Sequence, residues 1–596
     1  MTDLQNVNPP PLTPYPMNEL LGRVAHEWES RQKIFDLPNG RFWSRDEDVD
    51  LTMEFLGRPA ATPVGPAAGP HSQMAQNIIL GWLGGARVFE LKTVQVLDDL
   101  DIGRPCIDME TIGFNIEWSQ ELAIHESLEE YVKAWMAIDI LSRWEPIQHL
   151  VGPDPGPHVF DLSVGYDLAG ISTDKVAGFI DSMRDATAEI DRLRPLIPDA
   201  FSEYRDFDFG STVADTVTLS TFHGCPPDEI EGIAKHLMTR HELDVIVKLN
   251  PTLLGFGELV EILQTNLGYD HLRLDRHKFP DDLEFERGLD LIGDLRSFAK
   301  TEGRQFGVKL TNTLVVDNDK GWMPADPMYL SGPPLHVLAT SLLDALINAM
   351  PDTFRVAGHD GDVQVSFSAG VTKDNLATTL GMGVAPATVC SDLLKPGGYG
   401  RLEPMLRNMT AQLKNAGVHS LTEWRQHSWA VARESGYRGP AEEHMNSILH
   451  GDENAQYSFA GNQKLPRSVD HELQMWGCVA CNFCVTVCPN DAFLNIMTPK
   501  GSGVDGRQQY MVLAELCNEC GNCLTFCPED GDPAQVKPKL FMTQERFDLA
   551  EGQGFLLSTV GGEVAVTPKR ESASEAERLV SVLNNREGLP FGVNHD

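Results

Sequence analysis

The chain has 596 residues, 42% of them hydrophobic and 22% charged, which is the balance of a folded globular protein with room for several domains or one large barrel. Its formal net charge of −38 argues against a nucleic-acid partner, because phosphate binding needs a basic face. No uncharged apolar run approaches the ~18 residues of a membrane-spanning helix, so no span is expected.

The first residues, MTDLQNVNPPPLTPYP, have neither a basic nor an apolar leader region and read as a mobile arm, followed by an amphipathic helix over 17–35; arm and helix make up residues 1–60. Apolar β-type runs then recur at 62–69, 87–94, 158–165, 216–225, 245–251, 271–277, 306–314, 363–370 and 388–394. Helical patterns fall between them at 119–142, 174–195, 227–240, 257–266, 284–301 and 334–350. Strand–helix alternation predicts a parallel sheet. Nine runs where a closed barrel needs eight predict an α/β fold, a (β/α)8 TIM barrel over 61–401, with either 271–277 or 306–314 as an extra element. VIVKLNPTLL and FGVKLTNTLV echo each other, as chance alone can make two strands do.

A helical connector is expected over 402–470, with helices near 402–416 and 421–435. A cysteine-rich module follows at 471–545. The remainder, 546–596, reads as a tail with a hairpin around Gly561-Gly562 and a helix starting at Ser572, where Glu575 completes a capping box.

Eight cysteines form two runs of one spacing, C-x2-C-x2-C-x3-C-P: Cys478, Cys481, Cys484, Cys488 and Cys517, Cys520, Cys523, Cys527. This is the bacterial [4Fe–4S] pattern, in which the fourth cysteine of each run ligates the other cluster. One cluster is therefore assigned to Cys478, Cys481, Cys484 and Cys527, and the other to Cys517, Cys520, Cys523 and Cys488. A zinc site closes four ligands on one ion and rarely uses such a triplet. Cys106, Cys225 and Cys390 stand alone, so a reducing compartment, the cytoplasm, is expected.

Barrel enzymes work at the C-terminal ends of their strands. Lys92, Lys248 and Lys309 sit there inside apolar strands, where a lysine is buried only if paired. Small residues at 65–69, 368–370 and 396–398 allow close approach of a flat ring, and turns after the last two strands commonly take phosphate. Lysines and turns together point to a phosphorylated flat cofactor.

The residues TPVGPAAG, FELKTV, FNIE, HGCP, VKLNP, TNT and SAG resemble the FMN barrel of the dihydroorotate dehydrogenase superfamily. The similarity is greatest to dihydropyrimidine dehydrogenase, where such a barrel precedes two [4Fe–4S] clusters, and to a bacterial family named for a selenate reductase iron–sulfur subunit. The resemblance covers roughly 60–400 and 471–545 and implies FMN as cofactor. It places Ala68, Gly69, Lys92, Thr93 and Lys248 against the flavin, and Gly370, Cys390 and Ser391 at its phosphate side. Asn115, Glu117, Asn312 and Thr313 match residues that grip the amides of a pyrimidine, and Cys225 matches the proton donor. Where the family has an asparagine three residues before that cysteine, this chain has Phe222, followed by His223.

The expected reaction passes a hydride from the flavin to one carbon of a polarised double bond and a proton to its neighbour. Cys225 is the candidate acid, since a thiol titrates near neutrality, with His223 as tuner or alternative acid. No G-x-G-x-x-G dinucleotide fingerprint follows a strand, so a diaphorase subunit carrying FAD and NAD(P)H, or a ferredoxin, is expected to exchange electrons with the clusters in a hetero-oligomer. The predicted activity is reduction, or reversible oxidation, of a C=C or C=N bond in a nucleobase-like heterocycle. The alternative is an electron-transfer subunit with catalysis on another chain. A glutamate-synthase-type barrel fits less well, lacking a glutaminase nucleophile domain and a three-cysteine cluster loop.

Overall fold

The computed structural model describes residues 11–589 apart from 99, 101, 117–118, 221–224, 275, 277–278, 280–281, 319–320, 322, 326, 561–562 and 585–588. Helix α1 (Met17–Arg31) precedes the barrel. Residues 11–16, expected in a mobile arm, are packed instead: Leu12 and Tyr15 are buried, and the Thr13 amide donates to the Glu515 carbonyl (2.8 Å).

Eight parallel strands form the barrel: β1 (Val64–Pro66), β2 (Val88–Glu90), β3 (Val159–Val164), β4 (Thr216–Ser220), β5 (Asp244–Leu249), β6 (Phe306–Leu310), β7 (Val363–Phe367) and β8 (Ala387–Val389). Each pairs with the next from β2 to β8, and β8 returns to β1. A backbone bond from Arg87 N to the Val64 carbonyl (2.9 Å) joins β1 to β2. β3 and β5 are buried along their whole length, as strands covered on both faces must be. The described residues of 271–277 form no strand, so 306–314 holds the true sixth strand.

The crossover helices are α2 (Ala75–Leu83), α3 (Ile124–Arg143), α4 (Asp174–Arg184), α5 (Pro227–Arg240), α6 (Phe285–Glu302), α7 (Pro333–Ala349) and α8 (Leu376–Gly381). α7 buries twelve of its residues, because it lies between the barrel wall and the connector rather than facing solvent. Segments inserted after β2 and β6 make a four-stranded antiparallel sheet across the rim: Ile107–Asp108, Gly113–Asn115, Leu314–Val316 and Met328–Ser331.

The connector is helical: α9 (Leu402–Ala416), α10 (Leu421–Glu434) and a further helix, α11 (Pro440–His450). The cysteine-rich lobe carries one five-stranded sheet, β9 (Phe493–Met497), β10 (Gln508–Leu513), β11 (Lys539–Phe541), β12 (Phe555–Val560) and β13 (Glu563–Pro568). The last two strands are the hairpin expected in the tail; it extends the lobe's sheet, with its tip, 561–562, outside the described residues. Ser572 caps α12 (Ala573–Leu583) by accepting from the Glu575 amide.

The lobe is seated on the barrel by buried polar contacts. On α2, Asn77 Nδ2 donates to the Pro489 carbonyl (2.8 Å) and Gln76 Nε2 to that of Asn490 (3.2 Å). On α1, fully buried Arg23 pairs with Glu27 and Asp491, each at 2.7 Å.

Candidate active site

A charged layer lies inside the barrel beneath its C-terminal rim. Lys248 of β5 and Lys309 of β6 are register partners, so both point inward. They share one carboxylate on β2: Lys309 Nζ lies 2.7 Å from Glu90 Oε2 and Lys248 Nζ 3.6 Å from Oε1. Lys309 also donates to Thr388 Oγ1 on β8 (2.8 Å). Burial alone would raise the Glu90 carboxyl, but the two cations overcome it and hold it at about 2. Asp161 on β3 takes hydrogen bonds from Thr216 (2.7 Å) and Thr218 (2.6 Å), while burial pushes it up to about 7. So much charge persists in a core only where partners satisfy it.

Above this layer opens a cleft whose empty space, counted out to its mouth, is about 1070 Å³. Ala67, Ala68 and Gly69 line it after β1, where the Ala68 amide donates to Glu90 Oε2 (3.0 Å). Lys92, Thr93 and Lys248 line it too. The Lys92 backbone is fixed by Tyr131, whose hydroxyl donates to its carbonyl (3.0 Å), and Thr93 bonds Ser163 (2.7 Å). Burial brings the Lys92 ammonium down to about 8, opposed by the charge of Glu121. Ser331, Gly332, Ala369, Gly370, Cys390 and Ser391 line another part of the cleft. The inserted sheet supplies Ile107, Phe114 and Asn115, and the end of β6 supplies Asn312 and Thr313. Asn312 Nδ2 donates to Asn250 (2.7 Å), and Asn115 Nδ2 to the Ile116 carbonyl (3.1 Å).

The structure therefore brings Ala68, Gly69, Lys92, Thr93, Asn115, Lys248, Asn312, Thr313, Gly370, Cys390 and Ser391 to one cleft. Lys309 lies beneath it, buried against Glu90. Cys225 is buried and is not among the lining residues; burial, with the charge of Glu229, pushes its thiol up to about 12. The near-neutral thiol expected from sequence is not what this surrounding produces. Glu117, Phe222 and His223 lie outside the described residues. Sequence reasoning missed Glu90 and Asp161, although each is a carboxylate in an apolar strand, the signal that picked out the lysines.

In the lobe, Cys488 is a neighbour of Cys520 and Cys523 of the second run, and Cys527 a neighbour of Cys484 of the first. Each fourth cysteine therefore stands beside the other run, the neighbourhood that the crossed ligand pattern expects. Among the described residues no three His, Cys, Asp or Glu side chains converge as around a single ion. Four ligands on separate corners of a cluster are spread more widely than that. The second run faces the cleft: the Cys520 carbonyl accepts from both the Cys106 and Ile107 amides (3.1 Å each), and Ile107 is a cleft residue. Asn522 Nδ2 donates to the carbonyls of Leu394, which also lines the cleft, and Val487, each at 2.8 Å.

A parallel barrel with a charged floor and a rim cleft, carrying a docked lobe with two cluster-type cysteine runs, defines the class, an α/β barrel joined to a 4Fe–4S dicluster domain. Residues 35–435 match the family described as oxidoreductase YgfK, N-terminal TIM-barrel domain, and residues 477–530 match the 4Fe–4S dicluster domain. The chain belongs to the YgfK oxidoreductase family. It is 38% identical over 419 residues to oxidoreductase YgfK of Escherichia coli K12, and equally to that of strain O157:H7, a match covering 67% of this chain and 39% of each relative. The chain thus spans about two fifths of the length of the relatives it matches. Among solved structures, ligand-free dihydroorotate dehydrogenase of Eimeria tenella is similar at 15% identity and a TM-score of 0.39, covering 68% of this chain and 97% of that one. The same enzyme in complex with ferulenol gives 15% and 0.39, over 70% and 96%. Among the described residues no helix is long and apolar enough to cross a membrane.

Proposed function

We propose that the rim cleft holds FMN and a nucleobase-like cyclic amide, and that the two [4Fe–4S] clusters carry electrons between this site and a partner. The carrying observation is the cleft itself, which gathers lysine cations, glycine and serine backbone, and asparagine amides beside the Cys520 loop. This donor set fits a flat, phosphorylated anion: small residues where a ring must approach, cations at one part, and glycine turns with hydroxyls at another. Bound there, FMN would supply hydride transfer and the exchange between single electrons and electron pairs.

The chain's own residues have distinct tasks. Lys92 and Lys248 stabilise negative charge in the cleft, and Glu90 holds Lys248 in place from below. Asn115, Asn312 and Thr313 offer paired donors and acceptors to a cyclic amide; a carbon analogue would leave them unpaired. Phe114 and Ile107 wall off water. Cys225 keeps its proton at neutral pH, as a donor must, although its raised pKa makes it a weak acid. The cluster of Cys517, Cys520, Cys523 and Cys488 is the one that exchanges electrons with the cleft. The other, with Cys481 exposed, faces a diaphorase subunit or ferredoxin.

An anaerobic titration tests this reading. The purified chain is reduced, then offered uracil, thymine, xanthine and urate while flavin absorbance is followed. Fast reoxidation by one base is expected; a chain that purifies and reconstitutes without flavin sinks the proposal. A second reading, an electron-transfer subunit with catalysis on another chain, is favoured by the position of Cys225 outside the cleft lining. It predicts reduced flavin indifferent to every base.

A further inference from the structure

Behind the glycine turn of the cleft lies a buried row of polar groups that the proposed reaction does not use. His336 on α7 and His444 on α11 are 0% and 3% exposed, and their Nε2 atoms are 2.9 Å apart. His336 Nδ1 lies 2.9 Å from the Ala369 carbonyl, which can only accept, so Nδ1 carries the hydrogen. Burial first, and the charge of His444 second, hold His336 neutral with a pKa of about 3, so its Nε2 accepts and His444 Nε2 donates. On the far side, His444 Nδ1 pairs with Glu453 Oε2 at 3.2 Å, and that contact keeps the Glu453 carboxyl below its usual range. Glu443 beside His444 and Asp374 near Tyr457 are the other charges facing the row. Tyr457 stacks on His336 with centroids 5.2 Å apart and planes 16° apart. Asn375 Nδ2 donates to the Gly370 carbonyl (3.0 Å) and lies 3.3 Å from the Tyr457 hydroxyl.

Two successive carbonyls of the cleft turn, those of Ala369 and Gly370, are thus held from outside the barrel. In a trans peptide the carbonyl and the next N–H point in opposite directions. The amides of Gly370 and Val371 are therefore turned the other way, toward the cleft that both residues line. Neither amide donates to another group among the described residues. Gly370 has φ +53, the left-handed conformation that gathers consecutive amides into an anion-binding concavity. A side chain at Gly370 would also place Cβ 2.4 Å from the Gly332 carbonyl oxygen, so only glycine fits.

We propose that the Glu453–His444–His336 row, with Asn375, is a positioning device that aims the Gly370 and Val371 amides at the phosphate monoester of the bound flavin. The inference rests on the FMN reading above. It makes the connector part of phosphate recognition, although α11 lines no part of the cleft.

The test is a fluorescence titration of the full, cluster-loaded chain, stripped of flavin, with FMN and with riboflavin, which lacks the phosphate. His444→Ala should weaken FMN binding by about tenfold or more, the size of a buried polar group left unsatisfied, and leave riboflavin within about twofold. His444→Gln, which keeps a donor toward His336, should recover most of the loss. His336→Phe keeps the stack on Tyr457 but removes the donor to Ala369, and should show the same FMN-specific loss. Equal weakening of both flavins by all three variants, or unchanged FMN binding in His444→Ala and His336→Phe, overturns the proposal alone. A wild-type chain that binds neither flavin overturns the FMN reading and the device with it.

Discussion

The two cysteine runs share one spacing and stand in opposite surroundings. Cys520 and Cys523 are buried, and their loop is bonded to the barrel through Cys106 and Ile107. In the other run Cys481 is exposed, beside Val479, which is 51% exposed. Identical ligand sets in different dielectric and hydrogen-bonding environments have different potentials. One pattern, written twice, therefore gives an inner and an outer run, and what distinguishes them is the barrel; under the proposed function they are an inner and an outer electron station.

Deleting one ligand from each run tests that division most severely. Cys523→Ala and Cys481→Ala should each lower iron from about eight to about four atoms per chain by metal analysis. Flavin in Cys523→Ala should no longer be reduced through any iron–sulfur donor. In Cys481→Ala it should still respond to a small viologen that reaches the inner cluster, but not to a protein donor. Identical behaviour of the two variants would erase the distinction between the stations.

The barrel's side of the comparison breaks at Glu90. Glu90→Gln leaves Lys248 and Lys309 without their shared carboxylate, and should cost about 3–5 kcal/mol in thermal or denaturant unfolding. Adding Lys309→Met should return part of that loss, a coupling that a double-mutant cycle measures.

A gentler probe acts at the junction itself. Gly521 has φ +89, and a Cβ there would stand 2.5 Å from Pro105. Gly521→Ala should cost about 1–3 kcal/mol and slow flavin reduction in stopped-flow traces. Gly501, at φ +85 with nothing within 4 Å, is the control: Gly501→Ala should carry only the backbone strain, about 1–2 kcal/mol, and leave the traces unchanged.

The smallest effect is a pH dependence. Lys92 has its pKa lowered to about 8, so it is charged below that pH and loses its charge as pH rises through it. Binding of an anionic ligand in the cleft should weaken severalfold between about pH 7 and 9, and Lys92→Met should flatten that profile. The sign for stability is separate: buried charge on Lys92 destabilises the fold fully below about pH 8, and the penalty is relieved as pH rises toward the ordinary lysine pKa.

The barrel was legible because parallel strands buried on both faces read as apolar runs, and the clusters because thiolate spacing is fixed by cluster geometry. Sequence does not decide between 271–277 and 306–314 as the sixth strand; the pairing of Val245–Leu249 with Phe306–Leu310 does, and pairing is non-local. The tail read as separate for the same reason, since β12 finds its partner β11 across a helix. Cleft residues could be named from motifs on the rim. Glu90, whose partners lie on β5 and β6, was passed over because nothing near it in the chain shows what it pairs with. Cys225 illustrates the converse: a motif gives a residue's place along the chain, while burial decides its pKa.

The packing of α1 and residues 11–16 against the lobe sets an order of events during synthesis. Arg23 meets Asp491 and Thr13 meets Glu515, so this segment finds its partners only after the whole barrel and connector between them have been made. The Cys488 loop likewise needs α2 as its seat. The lobe therefore reaches its final packing only on a chain whose barrel and α1 are in place. A lobe expressed alone would present its inner cysteines to water and oxygen without the wall that normally covers them.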